Sequence, residues 1–146
     1  MIAQVRPCTP DDAAAVSTLL RELGYRVSIP LAVERIRELG ATGSDPILLA
    51  EADGTVVGLL ASHRCRMLQY ARPVTRITAL VVGRDARRRG VGRLLMDHAE
   101  RMAVAEECEF VELTSAADRA DAHAFYRGIG YETNSLRFRK LPGGRR

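Results

Sequence analysis

The sequence has no tryptophan, and aromatic residues make up only 5% of its 146 positions. Proteins that hold single-stranded nucleic acid stack the bases on aromatic side chains, and this chain has no extended stretch in which basic and aromatic residues alternate. The formal net charge of +4 would suit any anionic partner. Because the aromatic platform is missing, we expect no nucleic-acid partner.

Cysteine is scarce and follows no pattern. The three cysteines, Cys8, Cys65 and Cys108, are an odd number and lie far apart in the chain. They predict neither a disulfide framework nor the closely spaced ligands of a metal site. Reduced thiols are typical of the cytoplasm, so we expect a cytoplasmic protein without a metal.

Long hydrophobic runs are also absent. No apolar stretch comes near the roughly 18 residues that indicate a transmembrane helix. The start of the chain, MIAQVRPCTPDD, lacks the apolar segment of a signal peptide. We therefore expect no membrane partner.

Hydrophobic periodicity and turn residues predict a single mixed α/β domain over residues 1–146, with the element order β-α-α-β-β-β-α-β-α-β(-β). Helix caps and spacing mark TPDDAAAVSTLLRELG and SIPLAVERIRELG as helices. Asp53-Gly54 joins two apolar runs as a hairpin, and a hairpin excludes a purely parallel sheet. The other predicted strands are IAQVRP, VTRITALVVG, FVELTS and one or two in YETNSLRFRKL. The other predicted helices span 90–106 and 118–128, and residues 141–146 are expected to fray.

The predicted helix over 90–106 has a buried face and an unusual start. Its spacing predicts burial of Val91, Leu94, Leu95, His98 and Met102. Its start carries four arginines and two glycines, namely Arg87, Arg88, Arg89 and Arg93, with Gly90 and Gly92. Cations are unfavourable at this positive end of the helix dipole.

A phosphate ligand would explain these arginines. Unpaired N–H groups at a helix start bind phosphate, glycine lets the ligand approach, and arginine adds charge-assisted hydrogen bonds. A bound polyphosphate would turn the repulsion between arginines and dipole into attraction. We therefore predict an anion site, with a merely solvated basic surface as the alternative.

The motif excludes two common phosphate sites and resembles a third. The G-x-x-x-x-G-K-[ST] of nucleotide-hydrolysing loops is absent, and Leu95 replaces the third glycine of the dinucleotide motif G-x-G-x-x-G. The stretch ITALVVGRDARRRGVGRLLMDHAE, which reads R-x-x-G-x-G, resembles the acetyl-CoA-binding segment of the GCN5-related N-acetyltransferase (GNAT) superfamily. VELTSAADRADAHAFYRGIGYE resembles the strand and helix that follow in that superfamily, with its Ala-x-x-x-Tyr and terminal Gly-Tyr. The element order agrees over residues 2–140.

The resemblance implies a GNAT-like acyl-CoA N-acyltransferase fold and acetyl-CoA as the cofactor. Main-chain groups of Leu80, Val81 and Val82 would pair with the pantetheine arm as an added half-strand. The N–H groups from Arg88 through Val91 to Arg93 would hold the pyrophosphate, and the arginine side chains would reach the phosphates. Arg119 would also contact the cofactor, at a position where relatives often have Asn.

Tyr126 matches the tyrosine that lies beside the CoA sulfur in the superfamily, which implies a catalytic acid. A phenol with a pKa of about 10 is protonated at neutral pH and can protonate a thiolate with a pKa of about 8.5. Backbone N–H groups near Val82 would polarise the thioester carbonyl. Without the resemblance, Tyr126 would be a core aromatic next to Phe125 and Ile129.

A general base is harder to identify, because VTRITALVV contains no acidic residue. Glu112 and His63 are the nearest candidates by element, with a surface or structural role as the alternative for each. His123 shares a helix face with Tyr126 and either contacts a ligand or is structural. His98 is expected in the core.

Together these features predict an N-acetyltransferase that transfers an acetyl group from acetyl-CoA to a primary amine of a small molecule or peptide, by direct attack in a ternary complex. A non-catalytic acyl-CoA-binding or sensing module is the alternative, since no base is evident. Glu22, Tyr25 and Tyr70 are candidate acceptor contacts, because they lie away from the cofactor motifs. A homodimer is a further hypothesis, since the edge strands of a sheet have unpaired backbone groups that a second copy could cover.

Overall fold

The computed structural model describes residues 1–144; residues 145 and 146, the end of the tail expected to fray, lie outside the described residues. The strands of the described chain are β1 (Gln4–Pro7), β2 (Ile47–Ala52), β3 (Thr55–Cys65), β4 (Val74–Val82) and β5 (Val111–Leu113). The α-helices are α1 (Ala13–Glu22), α2 (Ile29–Gly40), α3 (Val91–Ala105) and α4 (Ala120–Gly128). The predicted α/β class and the element order as far as α4 are confirmed.

The five strands form one mixed sheet in the order β1-β2-β3-β4-β5. The first four are antiparallel neighbours, and β5 runs parallel to β4. The predicted hairpin joins β2 to β3, and its two turn residues Asp53 and Gly54 have φ values of 51° and 77°. Positive φ at both turn residues is the geometry that matches the twist of a two-residue hairpin.

The predicted final strands were wrong: within the described residues, 131–141 form no strand. The alternation of Leu136 and Phe138 with polar neighbours favoured a strand, yet these side chains are 82% and 89% exposed. A strand needs a neighbouring backbone to complete its hydrogen bonds. Alternation in the sequence does not supply that neighbour.

Helices α1 and α2 cover one face of the sheet. The Ser28 hydroxyl accepts a hydrogen bond from the Leu31 N–H (3.2 Å) and caps α2. The buried Ser17 hydroxyl of α1 donates to the Val27 carbonyl (2.5 Å) and ties down the connection between the two helices. The core on this face contains Val16, Leu19, Ile36, Leu49, Leu59 and Val81.

Helix α3 covers the opposite face. Its buried residues are Val91, Leu95, Met96, Ala99 and Ala103. The prediction was right for Val91 and Leu95, but Leu94, His98 and Met102 are only half-buried. Small alanines face the sheet because they let the helix backbone approach it, whereas the polar His98 stays at the margin.

The residues from Thr114 onwards form a second compact unit that contains α4. This helix ends where Tyr131 donates its N–H to the Tyr126 carbonyl (2.9 Å). The single domain over 1–146 stays a prediction. Among residues 1–144, no helix combines the length and the apolar character needed to cross a membrane.

Candidate active site

Strands β4 and β5 part soon after they meet. They pair only between residues 75–77 of β4 and 111–113 of β5, whereas β4 continues to Val82. Thr78 is an extra residue at this point, since Ala61 pairs with Ala79 and the next residue, Ser62, pairs with Ile77. Such bulges re-aim the strand beside active sites. In the described chain, residues 78–82 of β4 therefore have no strand on the side away from β3, and we call this side the open edge.

One hydrogen bond fixes which backbone groups point to the open edge. The Gly83 N–H donates to the Val57 carbonyl (2.8 Å), so Gly58 and Val82, which lie opposite each other, form a non-hydrogen-bonded pair. The backbone groups of Val82 then point away from β3. Consistent with this direction, the Arg87 side chain donates from Nε to the Val82 carbonyl (3.2 Å).

The same register removes Val81 from the predicted contacts. Val81 lies opposite Leu59, and it exchanges its backbone hydrogen bonds with that residue because such pairs alternate along an antiparallel ladder. Its side chain is in the core under α1 and α2. Of the three predicted residues, only Leu80 and Val82 direct their backbone groups to the open edge, so the expectation that Val81 would offer main-chain groups to a ligand is corrected.

From the open edge the chain enters the arginine loop, residues 84–93. The loop begins with a short 3-10 turn, Arg84–Ala86, whose first N–H is bound by the Glu22 carboxylate (Arg84 N to Glu22 Oε1, 3.1 Å). Gly90 precedes α3 with φ +80°, in the left-handed region. The structure therefore places Glu22, a candidate acceptor contact, at the start of the arginine loop.

The backbone of the arginine loop presents free donors. None of the N–H groups of residues 88–93 finds an acceptor among the described residues, and the first helical bond is donated by Leu94 to the Gly90 carbonyl (3.0 Å). A Cβ built on Gly90 would meet no atom within 4 Å. Free N–H groups at a helix start, with open space around the glycine, are the arrangement of helix-start phosphate sites.

The side chains of the loop add positive charge. Its arginines are exposed and, within residues 1–144, none of them forms an ion pair; they are Arg84, Arg87, Arg88, Arg89 and Arg93. Arg88 has φ +62°, which is rare for a residue with a side chain. Unpaired cations around free N–H groups fit a ligand with several phosphate charges.

Gly58 brings the arginine loop close to the sheet. A Cβ on Gly58 would lie 2.9 Å from Val91 Cγ1 and 3.0 Å from Leu95 Cδ1. The first turns of α3 therefore pack directly against the backbone of β3 at Gly58. Sequence analysis missed this residue. The available signal was a glycine inside the apolar strand VVGLLAS, which often marks a close approach.

Tyr126 lies in the second unit, half-buried on α4. Its ring makes edge contacts with Phe125 (centroids 5.3 Å apart) and Tyr131 (6.1 Å). Burial raises the pKa of Tyr126, and the positive charge of Arg119 acts in the opposite direction. The phenol is therefore protonated at neutral pH, with a cation near enough to favour the phenolate.

Two other polar groups of the second unit differ in their partners. His123 donates from Nε2 to the Ala116 carbonyl (2.8 Å), which supports the structural alternative for this residue. The Ser115 hydroxyl is buried without a hydrogen-bond partner among residues 1–144. Sequence analysis missed Ser115, because nothing in the pattern marks a hydroxyl as buried.

The two base candidates have different surroundings. His63 Nδ1 lies 2.6 Å from Asp45 Oδ1. Burial raises the pKa of Asp45, but hydrogen bonds from Thr42 and His63 outweigh it and hold that pKa below its usual value. Glu112 Oε1 accepts a hydrogen bond from Arg76 Nη2 (3.2 Å).

The remaining candidates form no cluster of their own. Tyr25 is exposed, and Tyr70 packs edge-on against Phe110 (5.1 Å between centroids). The three cysteines are free. In the part of the chain that the structure describes, no group of three or more His, Cys, Asp or Glu side chains is placed to hold a metal.

Comparison with known proteins agrees with this geometry. The sequence model of the Acetyltransferase (GNAT) family matches residues 13–131. An aminoalkylphosphonate N-acetyltransferase of Salmonella typhimurium is 32% identical over 143 residues, which cover 95% of this chain and 91% of the relative.

Two solved structures share the fold. A GNAT family acetyltransferase of Staphylococcus aureus has a TM-score of 0.82 at 21% identity, covering 97% of this chain and 99% of the other. An aminoglycoside N-acetyltransferase in complex with CoA has a TM-score of 0.85 at 16% identity, covering 97% and 95%. With the family matched over most of its length, this chain belongs to the GNAT family of acetyltransferases.

Proposed function

We propose that the protein transfers an acetyl group from acetyl-CoA to a primary amine of a small molecule or peptide, by direct attack in a ternary complex. One observation carries the proposal: the open edge of β4 leads directly into the free N–H groups of residues 88–93. An extended chain of amides suits a strand edge, and a pyrophosphate suits the loop. Acetyl-CoA joins these two chemistries in one ligand.

The residues present fit this ligand. Leu80 and Val82 offer backbone groups to the pantetheine arm, and residues 88–93 offer N–H groups to the pyrophosphate. The Val82 carbonyl accepts a hydrogen bond from the Arg87 side chain. A ligand that takes this carbonyl would release the Arg87 guanidinium towards the phosphates.

Tyr126 is the proposed acid. Its raised pKa keeps the hydroxyl protonated, so that it has a proton to give to the leaving thiolate. The positive charge of Arg119 favours the phenolate that remains after this transfer. In this role Arg119 assists Tyr126 as well as contacting the cofactor.

The names of two similar proteins indicate which acceptor amines to test first. The Salmonella relative is named for aminoalkylphosphonates and one structural neighbour for aminoglycosides, so these two classes come first in an acceptor panel. The proposal also includes a cytoplasmic location, from the reduced cysteines. It includes a homodimer through an edge strand, β1 or β5, which light scattering would test.

Calorimetric titration with acetyl-CoA and CoA tests the ligand. Gly90→Asp adds bulk and negative charge to the arginine loop and should abolish the binding seen in wild type. Gly43→Asp is a matched control, because Gly43 also has a left-handed φ (+75°) and open space around its Cβ position, and it should bind normally. Equal loss in both variants, or no binding by folded wild type, would contradict the cofactor site.

A thiol-release assay with the amine panel tests the transfer. Release of CoA thiol that depends on both acetyl-CoA and an amine is expected. If acetyl-CoA binds but no amine supports thiol release, the alternative function is favoured, and the protein is a non-catalytic acyl-CoA-binding module.

A further inference from the structure

Three polar side chains, among them an ion pair, cross the sheet at the point where β4 and β5 part. His63 of β3 lies opposite Arg76 of β4, and Arg76 lies opposite Glu112 of β5. We call these three residues the charged row. Glu112 directly precedes Leu113, which belongs to the last pair before the strands separate.

The charged row faces the same side of the sheet as α1 and α2. The neighbouring pair Arg64 and Thr75 lines a small cavity with Ala99 of α3, so that pair faces α3. Side chains alternate along a strand and paired residues share a face, which turns the charged row to the opposite side. There its members are not covered, since their side chains are 33–48% exposed.

Glu112 has an oxygen available for a ligand. Its Oε1 is held by Arg76 Nη2 at 3.2 Å, whereas Oε2 has no partner among the described residues. Arg76 thus orients the carboxylate and leaves one oxygen free to accept a proton. A third of the side chain is exposed, so an amine or a water molecule can reach it.

His63 is less well placed. Its Nδ1 is engaged by Asp45, and it lies on β3, so that β4 stands between it and the open edge. Glu112 lies on β5, the strand that borders the opening. A ligand arm that leaves the arginine loop and follows the open edge from Val82 to Thr78 covers about 13 Å, and its end reaches the parting point beside Glu112.

We propose that Glu112 is the general base that takes the proton from the acceptor amine. This assignment rests on the proposed function, because it presupposes acetyl transfer at the open edge. An alkylammonium loses one proton to Glu112, directly or through one water. The neutral nitrogen then forms a bond to the carbonyl carbon as the carbon–sulfur bond breaks.

The protons balance in this scheme. The nitrogen gives up a second proton to water as the amide forms, and the leaving sulfur gains one from Tyr126, which is reprotonated from solvent. The sum is ammonium plus thioester giving amide, thiol and one proton. Glu112 returns that net proton to solvent and is ready for the next turnover.

Two amines of similar size separate a base from a structural residue. A simple alkylamine has a pKa of about 10 and is protonated at pH 7.5, so it needs the base. A fluorinated analogue with a pKa below the assay pH is already largely neutral and does not. Glu112→Gln should lower kcat/KM roughly 100-fold for the alkylamine and leave the fluorinated amine nearly unchanged.

Two companion variants share the charged row. Arg76→Gln removes the ion pair that orients the carboxylate but keeps the carboxylate itself, so it should slow the alkylamine selectively, and by less than Glu112→Gln does. His63→Gln should leave the ratio between the two amines as in wild type. Unchanged CoA affinity and thermal midpoint would show that Glu112→Gln is folded.

The outcomes distinguish the two proposals. If wild type turns over both amines and Glu112→Gln slows them equally, the assignment of Glu112 is wrong and acetyl transfer stands. The same holds if His63→Gln reproduces the selective loss. If folded wild type binds acetyl-CoA but acetylates neither these amines nor any in the wider panel, the proposed transfer and the base fail together.

Discussion

Gly58 of β3 lies directly beneath Val91, the first residue of α3, and a Cβ added at Gly58 would come within 2.9 Å of Val91 Cγ1. The sheet and the first turn of the helix are in contact through a position without a side chain. Because the N–H groups of residues 88–93 belong to this turn and the loop before it, the contact sets where they stand relative to the open edge of β4. A change at Gly58 should therefore reach the ligand site without touching the ligand.

Gly58→Ala should weaken CoA binding. Extra volume in a packed interior costs about 1–3 kcal/mol, and the easiest relief is a shift of the α3 start away from the sheet. Calorimetry should find a lower affinity for CoA, and denaturant unfolding a lower stability. Gly40→Ala, where a Cβ meets nothing within 4 Å, is the control and should keep wild-type affinity. Wild-type CoA affinity in folded Gly58→Ala would contradict this account of the loop.

Arg88→Gly should raise stability and lower ligand affinity at once. Arg88 has φ +62°, a conformation that costs a residue with a side chain about 1–2 kcal/mol and glycine almost nothing. The substitution also removes one unpaired cation from the arginine loop. Arg89→Gly is the matched control, since Arg89 has no positive φ, and it should lower both stability and affinity. Thermal unfolding and CoA titration of the two variants measure stability and affinity. If Arg88→Gly is less stable than wild type, the left-handed conformation of Arg88 does not strain the fold.

Local signals were sufficient for most of the fold. Ser28 caps α2 and Asp53-Gly54 turns the hairpin as predicted, because each acts through its own backbone and nearest neighbours. The segment 131–141 failed because a strand depends on a partner elsewhere in the chain. The buried face of α3 was rotated from the prediction because close contact with the sheet favoured Ala99 and Ala103, which periodicity alone does not reveal.

The site was predictable where the motif is contiguous. The arginine loop was found from Gly90 and its flanking arginines, because the backbone freedom of glycine and the charge of arginine are properties of the residues themselves and need no distant partner. Val81 was assigned wrongly to the ligand side because hydrogen-bond direction depends on register, which the sequence does not specify. The hydrogen bond from the Arg84 N–H to the Glu22 carboxylate joins residues far apart in the chain, and no local sequence pattern predicts such a contact.

Asp12 should make the protein sensitive to acid. Hydrogen bonds from Arg6 (2.8 and 2.9 Å) are the main cause that lowers the pKa of Asp12 from 3.8 to about 2. A group with a lowered folded pKa stabilises the protein above its unfolded pKa, and this contribution is lost as the pH falls from about 4 to 2. Wild type should lose about 1–2 kcal/mol over that window through this group.

Asp12→Asn provides the comparison for the acid prediction. The amide cannot titrate, so the free energy of unfolding of the variant should be lower at pH 6 and should fall less between pH 4 and pH 2. Urea unfolding at several pH values measures both. Parallel curves for the two proteins would mean that the ion pair with Arg6 contributes nothing to folding.

Tyr126→Phe should separate catalysis from binding. Loss of the hydroxyl removes the proposed proton donor while the ring keeps its contacts with Phe125 and Tyr131. We expect kcat to fall roughly 100-fold with an unchanged affinity for CoA. Tyr131→Phe, the same change on a neighbouring ring, should leave kcat near the wild-type value. An unchanged kcat in Tyr126→Phe would remove this residue from the chemistry.

Arg119→Gln tests the same acid through its electrostatics. Burial raises the pKa of Tyr126 and the charge of Arg119 partly opposes it, so removal of that charge should raise the pKa further. A weaker acid protonates the leaving thiolate less readily, so kcat should fall by less than in Tyr126→Phe. The difference in ultraviolet titration between each protein and its Tyr126→Phe counterpart isolates the one phenol. If its midpoint does not move upwards, Arg119 does not act on Tyr126, and any loss of kcat in Arg119→Gln must come from the predicted contact of Arg119 with the cofactor.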